Sequence, residues 1–216
     1  MSVAANLGAI HDRITAACDS VGRDPGEVTL IAVSKTKSID AIREAYDAGQ
    51  RHFGESRLQE AQPKIEALPS DIVWHFIGTL QSNKAKKIAQ LFPIVHTFYN
   101  DQQLKEADKA EKPIEGFIEV NIADEPQKSG ISPALVVEFQ KKILQSKNIR
   151  FRGLMTIGPA TLNGELIRPY FKEIRELARR TGATSISMGM SGDFEVAIQE
   201  GSTHVRVGSA IFGSRQ

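Results

Sequence analysis

Lys35 is the residue whose type and place in the sequence best suit covalent chemistry. It ends the apolar run VTLIAVSK, in which Ile31, Val33 and Lys35 share one parity. If Ile31 and Val33 face the inside of a barrel, Lys35 faces the same way at its rim. Loss of water around an ammonium group in a closed site favours the neutral amine, which forms a Schiff base with an aldehyde. The alternative is a lysine that extends into solvent, and we interpret Lys37 in this way.

Two serine-glycine pairs near the C-terminal end of the chain are suited to binding phosphate. Ser191-Gly192 follows a strand-like segment and precedes the helical pattern DFEVAI, and Gly208-Ser209 follows the next strand-like segment. Backbone N–H groups that are free at such turns hydrogen-bond to anions together with serine hydroxyls. The alternative is a pair of ordinary turns with serine caps. The charge of Asp193 would also repel a dianion unless its side chain points away.

Short apolar segments that alternate with helical patterns must position these residues. Eight such segments are rich in β-branched or aromatic residues, and most end in Gly, Ser or Asn, which indicates strands. The predicted strands are 28–35, 52–56, 71–78, 94–100, 114–122, 149–158, 184–190 and 204–213.

The helical patterns between the strands each have an apolar face. One predicted helix follows the start signal Ser132-Pro133, and its face carries Leu135, Val136, Phe139 and Ile143. A later helix has a face formed by Ile167, Tyr170, Phe171, Ile174 and Ala178. A helix before the first strand has a face formed by Leu7, Ile10, Ile14 and Ala17. We therefore predict an α/β fold, a single (β/α)8 TIM-type barrel with an additional N-terminal helix, built as one domain over residues 1–216. An open doubly wound sheet is the alternative.

Composition and charge exclude several classes of function. The 216 residues include 27 Lys and Arg and 26 Asp and Glu, so electrostatics give no reason to expect nucleic acid or an anionic membrane as a partner. No stretch approaches the ~20 apolar residues of a membrane helix, and the N-terminus has no targeting pattern. Cys18 is the single cysteine, and no Cys/His cluster has metal-ligand spacing. We expect a cytoplasmic protein without a bound metal.

Six segments of the chain together carry a family resemblance. They are AVSKTK, FGES, WHFIGTLQSNKAKKI, VNIADEPQKSGI, RGLMTIGP and SMGMSGDFEVAIQEGSTHVRVGSAIFG. With these segments the chain resembles the YggS/PROSC family of pyridoxal-phosphate homeostasis proteins, from about Leu30 to the C-terminus. The stretch WHFIG-x-LQ-x-NK is long enough to make this a specific match.

The resemblance implies a binding site for pyridoxal 5′-phosphate (PLP). It implies that Lys35 forms the Schiff base, that Ser191, Gly192, Gly208 and Ser209 receive the phosphate, and that Arg206 faces the pyridine nitrogen. His75, Met155 and Lys128 lie on strands or loops that reach the site in such proteins. His75 and Met155 are equally consistent with a core histidine and with core packing. Many family members have Asn where this chain has Ser56, so the resemblance leaves the contact made by Ser56 open.

The family is also similar to the barrel domain of alanine racemases. Those enzymes add a second domain whose tyrosine supplies one of two bases, and the resemblance implies that this chain, which ends at Gln216, lacks that base. Arg206 would also leave the ring nitrogen unprotonated, which weakens carbanion chemistry. We therefore expect a carrier of PLP that affects vitamin B6 and amino-acid homeostasis, more than an enzyme.

Other functions and partners remain open. The alternatives are a weak PLP-dependent amino-acid racemase, a Schiff-base aldolase-like enzyme, and an interaction protein that retains the site as a relic. The partners that we expect are PLP itself, apo-enzymes that receive it or a regulatory protein, and we expect a monomer.

Overall fold

The computed structural model of the protein describes residues 2–159 and 164–213. In this part of the chain, eight parallel strands pair in sequence order and the eighth pairs with the first, so the sheet closes into a barrel. The strands are β1 (Thr29–Val33), β2 (His52–Glu55), β3 (Val73–Phe76), β4 (Ile94–Phe98), β5 (Ile114–Val120), β6 (Ile149–Thr156), β7 (Ser185–Met190) and β8 (His204–Val207). The predicted TIM-type α/β barrel is confirmed.

A helix follows each strand, and the predicted additional helix precedes β1. The α-helices are α1 (Val3–Asp19), α2 (Ile39–Asp47), α3 (Leu58–Ala67), α4 (Ala85–Leu91), α5 (Asp101–Ala107), α6 (Val136–Ile143), α7 (Arg168–Thr181), α8 (Phe194–Gln199) and α9 (Ser209–Phe212). Among the described residues, no helix is both long enough and apolar enough to cross a membrane.

The predicted helix faces pack against the barrel with one exception. The four residues that we predicted for α1 are buried, and so are Val136, Phe139 and Ile143 of α6. Leu135 is 51% exposed. It ends the 3-10 turn Pro133–Leu135, so the α-helical period of α6 begins only after it. The prediction that Leu135 belongs to the buried face was therefore wrong.

The strands begin within two residues of the predicted starts, but most of them end earlier. The largest difference is at β8, which ends at Val207 and not at residue 213. After Gly208 the backbone turns into α9, where Phe212 N–H donates to the Gly208 carbonyl at 2.9 Å and Ile211 is fully buried. The apolar composition of VRVGSAIFG continues across this turn, which is why the pattern alone extended the strand too far.

The parity predicted for β1 gives its side chains the expected directions. Leu30 and Ala32 pack in the core between the sheet and the helices. Ile31 points the other way, toward Gly54. A Cβ added to Gly54 would lie 2.9 Å from Ile31 Cγ2 and 3.0 Å from Ile77 Cδ1. Ile31, Gly54 and Ile77 come from three neighbouring strand regions, so they face one another inside the barrel.

Candidate functional site at the rim of the barrel

Lys35 lies two residues beyond the end of β1, at the rim formed by the carboxyl ends of the strands. Its side chain is half-buried. It lines a cavity of about 380 Å³ that Ser56 also lines. It also lines a smaller cavity of about 120 Å³ together with Gly208 and Ser209. The fold therefore brings Lys35 next to a serine-glycine pair from the far end of the sequence.

The backbone before Lys35 is held by side chains of β2 and α3. The Ser34 hydroxyl donates to Glu55 Oε1 at 2.6 Å. The Lys64 ammonium donates to the same Glu55 oxygen at 2.8 Å and to the Ser34 carbonyl at 2.9 Å. Glu55 and Lys64 are both buried, so the strand end beside Lys35 rests on a buried ion pair.

The backbone after Lys35 is held by the same lysine through a second carboxylate. Thr36 N–H donates to the Glu60 carboxylate, which also accepts from Lys64 Nζ at 2.7 Å. Thr36 has a φ of +66°, in the left-handed region that residues with a Cβ rarely adopt. We call Glu55, Glu60 and Lys64 the Lys64 ion cluster, and its contacts hold the chain on both sides of Lys35.

The two carboxyl groups of this cluster titrate differently. Burial raises the pKa of Glu55, although hydrogen bonds from Lys64 and Ser34 oppose the change. Burial also acts to raise the pKa of Glu60, but hydrogen bonds from Lys64 and Thr36 outweigh it and the pKa is lowered. Glu60 is therefore the more firmly ionised partner of Lys64.

The predicted phosphate-binding residues meet at the ends of β7 and β8. The Ser191 and Ser209 hydroxyl oxygens are 3.4 Å apart, and Gly208 N lies 3.4 Å from Ser191 Oγ. Hydrogen bonds of this length are weak, so these donors can turn to a better acceptor. A Cβ placed on Gly192 would have no atom of the described residues within 4 Å, so the loop leaves space there within this part of the chain. We call Ser191, Gly192, Gly208 and Ser209 the cradle.

The turn that leads into the cradle depends on Gly189 and Asp193. Gly189 has a φ of +93°, and an added Cβ would lie 2.6 Å from Ala197 Cβ and 2.9 Å from Phe194 Cα. Asp193 Oδ1 accepts from Met190 N–H, which turns the carboxylate back toward the end of β7. Burial raises the pKa of Asp193. The carboxylate is thus engaged by the strand end.

Arg206 lies on β8 inside the barrel and is 5% exposed. Its Nη1 donates to Ser187 Oγ at 2.6 Å, and its Nη2 donates to the Thr156 carbonyl at 2.9 Å. Burial lowers the pKa of Arg206 to about 10, while Asp193 and Glu119 oppose the change. The guanidinium remains a cation at neutral pH, so it can only donate hydrogen bonds.

The other residues singled out from the sequence lie at different depths. His75 is fully buried and bonded to two other histidines, below the rim. Met155 is buried on β6, in register with Ser187 of β7. Lys128 donates to Glu125 at 2.6 Å and to the Gly158 carbonyl at 2.9 Å, and it lines a third cavity of about 350 Å³.

Sequence reasoning missed several polar groups that the barrel brings together. His52 and His96 join His75 in a chain of hydrogen bonds. Glu119 is buried beside the third cavity, where its Oε1 accepts from Ser129 Oγ at 2.6 Å and its Oε2 has no partner among the described residues. Burial raises the pKa of Glu119. Histidines at inward-facing positions of adjacent strands were the available signal.

A lysine beyond the end of the first strand and serine-glycine pairs after the last two strands lie at one rim of the barrel. The family model described as "Alanine racemase, N-terminal domain" matches residues 5–216, so this is a barrel of the alanine racemase type.

Relatives that match most of this chain define the family more closely. A pyridoxal phosphate homeostasis protein of Escherichia coli (strain K12) is 42% identical over 233 residues, which cover 99% of this chain and 97% of its own. One from Schizosaccharomyces pombe is 42% identical over 201 residues, which cover 87% of this chain and 84% of its own. The structure of PipY from Synechococcus elongatus PCC7942 with PLP bound has a TM-score of 0.83 and 34% identity, covering 98% of this chain and 100% of that one. This chain belongs to the family of pyridoxal phosphate homeostasis proteins.

Proposed function

We propose that this protein binds PLP as a Schiff base on Lys35 and holds it for use elsewhere in the cell. The observation that carries the proposal is the cavity that Lys35 shares with Gly208 and Ser209. An amine that can react with an aldehyde and donors that suit a phosphate line the same space. Among the described residues that line it, no side chain is a carboxylate.

The donor set of the cradle fits a phosphate group. Ser191 and Ser209 offer two hydroxyls and Gly208 offers a backbone N–H, and the Ser209 oxygen and the Gly208 nitrogen each lie 3.4 Å from Ser191 Oγ. Each of these groups can donate to an oxygen that carries negative charge. Met190 N–H donates to Asp193 Oδ1, so this carboxylate oxygen is directed to the end of β7.

We assign Arg206 to the pyridine nitrogen of PLP. Bound PLP would supply an aldehyde that condenses with a neutral amine and releases water. Arg206 can donate a hydrogen bond toward a ring nitrogen but cannot give it a proton at neutral pH. A ring held in this way is a weak electron sink, which favours storage and delivery over turnover of amino acids.

The names of the relatives support a role in PLP homeostasis. We propose that the protein buffers PLP or delivers it to apo-enzymes, and so affects vitamin B6 and amino-acid balance. The PLP-bound structure of PipY supports binding of the same cofactor in the same fold.

Borohydride reduction followed by peptide mapping tests the covalent assignment. The protein is incubated with PLP, its visible absorption is recorded, the imine is reduced and the modified peptide is sequenced. We expect a yellow protein whose adduct lies on Lys35. Lys35→Arg keeps the charge but cannot form an imine, and Lys37→Arg is the matched control that should keep the adduct. An adduct of the unaltered protein on Lys37 would overturn the assignment.

Incubation with L-alanine in deuterated water tests whether the protein is a carrier. An incoming amine can exchange with Lys35 at the carbonyl carbon, so we expect a small spectral shift. Removal of the α-proton needs a ring that accepts charge, and we expect little exchange at Cα. Rapid formation of D-alanine that is lost in Lys35→Arg would make the protein a racemase.

A further inference from the structure

Three histidines from adjacent strands form a chain of hydrogen bonds inside the barrel. His52 Nδ1 lies 3.0 Å from His75 Nε2, and His75 Nδ1 lies 2.9 Å from His96 Nε2. His96 Nδ1 lies 2.9 Å from Ser187 Oγ, which accepts from Arg206 at 2.6 Å. One continuous path therefore joins the start of β2 to the arginine under the rim.

All three rings are neutral at physiological pH. His75 and His96 are fully buried, and His52 is half-buried. Burial lowers the pKa of His52 and takes those of His75 and His96 well below their ordinary values, and the Arg206 cation acts in the same direction on His96. A neutral imidazole has one N–H and one acceptor nitrogen, so His75 and His96 each donate at one contact and accept at the other.

The direction of the whole chain follows from Ser187. Its oxygen accepts from Arg206, which is always a donor. If His96 also donated to Ser187, the hydroxyl proton would need a different acceptor, and the described residues offer none within bonding distance. A buried hydroxyl without an acceptor is costly. The Ser187 hydroxyl therefore donates to His96 Nδ1, and this places the ring protons of His96, His75 and His52 on Nε2.

We propose that His52, His75 and His96 are positioning residues that fix the Ser187 hydroxyl and thereby aim Arg206. With its proton given to His96, Ser187 presents a lone pair to the guanidinium, whose other anchor is the Thr156 carbonyl. The direction of these hydrogen bonds is a property of the protein without any ligand. Its consequence for a ligand rests on the proposed function, in which Arg206 meets the ring nitrogen of PLP.

Other titratable groups lie near the three histidines and Arg206 without joining their chain of hydrogen bonds. The His204 ring of β8 lies 6.2 Å from the His75 ring and 6.1 Å from the His96 ring, and it bonds to Thr203. Burial lowers the pKa of His204 to about 3, and Arg152 of β6 acts in the same direction. Glu119 of β5 and Asp193 face Arg206. His204 is thus a buried histidine that lies opposite Ser187 in the pairing of β7 with β8 but, among the described residues, forms no hydrogen bond with the Ser187 hydroxyl.

Nitrogen NMR of histidine-labelled protein without PLP tests the direction directly. Long-range proton–nitrogen spectra distinguish the two neutral tautomers of each ring. We expect the Nε2–H form for His52, His75 and His96, assigned by single substitutions. A His96 ring with its proton on Nδ1 would overturn the proposal. This measurement needs neither a ligand nor a variant of Ser187, so it stands apart from the test of PLP binding.

Substitutions then test the effect on Arg206. His96→Phe retains stacking on Phe117, whose ring centroid is 4.3 Å away, but removes the acceptor for Ser187. We expect a changed nitrogen shift of the Arg206 guanidinium and about tenfold weaker PLP retention. His96→Gln offers a carboxamide acceptor and donor and should recover both readouts to within about twofold.

His204→Met is the matched control for these variants and should leave the Arg206 shift and PLP retention unchanged. An unchanged Arg206 shift in folded His96→Phe would contradict the positioning role. If His96→Phe does not fold, the tautomers of the histidines in the unaltered protein still test the proposed hydrogen-bond direction. If the unaltered protein forms no imine with PLP, the proposed function fails while the tautomer result stands.

Discussion

Lys35 and the cradle lie at the same rim but are held in position by different kinds of interaction. On the Lys35 side, formed by β1, β2 and α3, Lys64 and Glu55 are buried with side chains 6% and 0% exposed. On the cradle side, formed by β7, α8, β8 and α9, a glycine turn and weak hydrogen bonds of 3.4 Å set the geometry. Buried charges hold one side and backbone conformation holds the other.

The proposed function gives this difference a physical reason. A lysine that reacts must approach one carbonyl carbon, and contacts before and after it restrict its backbone on both sides. A phosphate needs donors that can turn to meet its oxygens, so weakly engaged hydroxyls are suitable. We therefore expect substitutions on the Lys35 side to act mainly on stability and substitutions of cradle serines to act mainly on ligand affinity.

The largest effect should follow the loss of the cation in the Lys64 ion cluster. Lys64→Met leaves Glu55 buried without its ion-pair partner, and breaking a buried pair costs about 3–5 kcal/mol. Urea unfolding measures the change in the free energy of unfolding. Lys142→Met is the matched control, because its pair with Asp101 has side chains 42% and 68% exposed and should cost less than about 1 kcal/mol. Equal effects of the two substitutions would show that the buried ion pair beside Lys35 stabilises the fold no more than an exposed pair does.

A large effect on the cradle side should come from its backbone. Gly189→Ala forces a Cβ against Ala197 and Phe194 at a φ of +93°, and we expect a loss of about 2–4 kcal/mol in the free energy of unfolding. Gly192→Ala is the control, since its Cβ meets no atom within 4 Å in residues 2–159 and 164–213 and should change stability by less than about 0.5 kcal/mol. A tolerated Gly189→Ala would show that this turn does not depend on glycine.

Sequence patterns predicted the elements of the rim better than the interior of the barrel. Lys35 and the cradle follow strands, and the carboxyl ends of parallel strands meet at one edge whatever the exact register. The contact between His75 and His52 depends on the pairing of β2 with β3, in which Gly54 lies opposite His75. Lys64 resembles an ordinary surface lysine of α3 until packing buries it against Glu55. These contacts depend on register and burial, which local periodicity does not contain.

Substitutions of cradle serines should affect ligand retention and leave the fold intact. A hydrogen bond to a charged phosphate contributes about 1.5–3 kcal/mol, so Ser191→Ala or Ser209→Ala should weaken PLP retention roughly ten- to hundredfold. Dialysis of the PLP complex measures retention, and urea unfolding should show little change. Ser132→Ala, at an exposed position in the segment between β5 and α6, is the control. Unchanged retention in the double variant Ser191→Ala/Ser209→Ala would place the phosphate elsewhere.

The smallest effect that we predict separates the two carboxylates that share Lys64. The pKa of Glu60 is lowered from about 4.5, so its stabilisation is fully present above that value and is lost as pH falls through the folded-state pKa. Burial raises the pKa of Glu55, so its ionised form lowers the free energy of unfolding at pH values above the raised pKa. This loss of stability is relieved as pH falls toward about 4.5. Urea unfolding between about pH 3.5 and 7.5 gives the free-energy difference between the unaltered protein and each variant, Glu60→Gln and Glu55→Gln. As pH falls below about 4.5, the difference for Glu60→Gln should shrink. As pH falls toward about 4.5 from above, the difference for Glu55→Gln should grow. Each should change by at most about 1.4 kcal/mol per pH unit. If both differences changed in the same direction as pH falls, Lys64 would affect the ionisation of the two carboxylates in the same way.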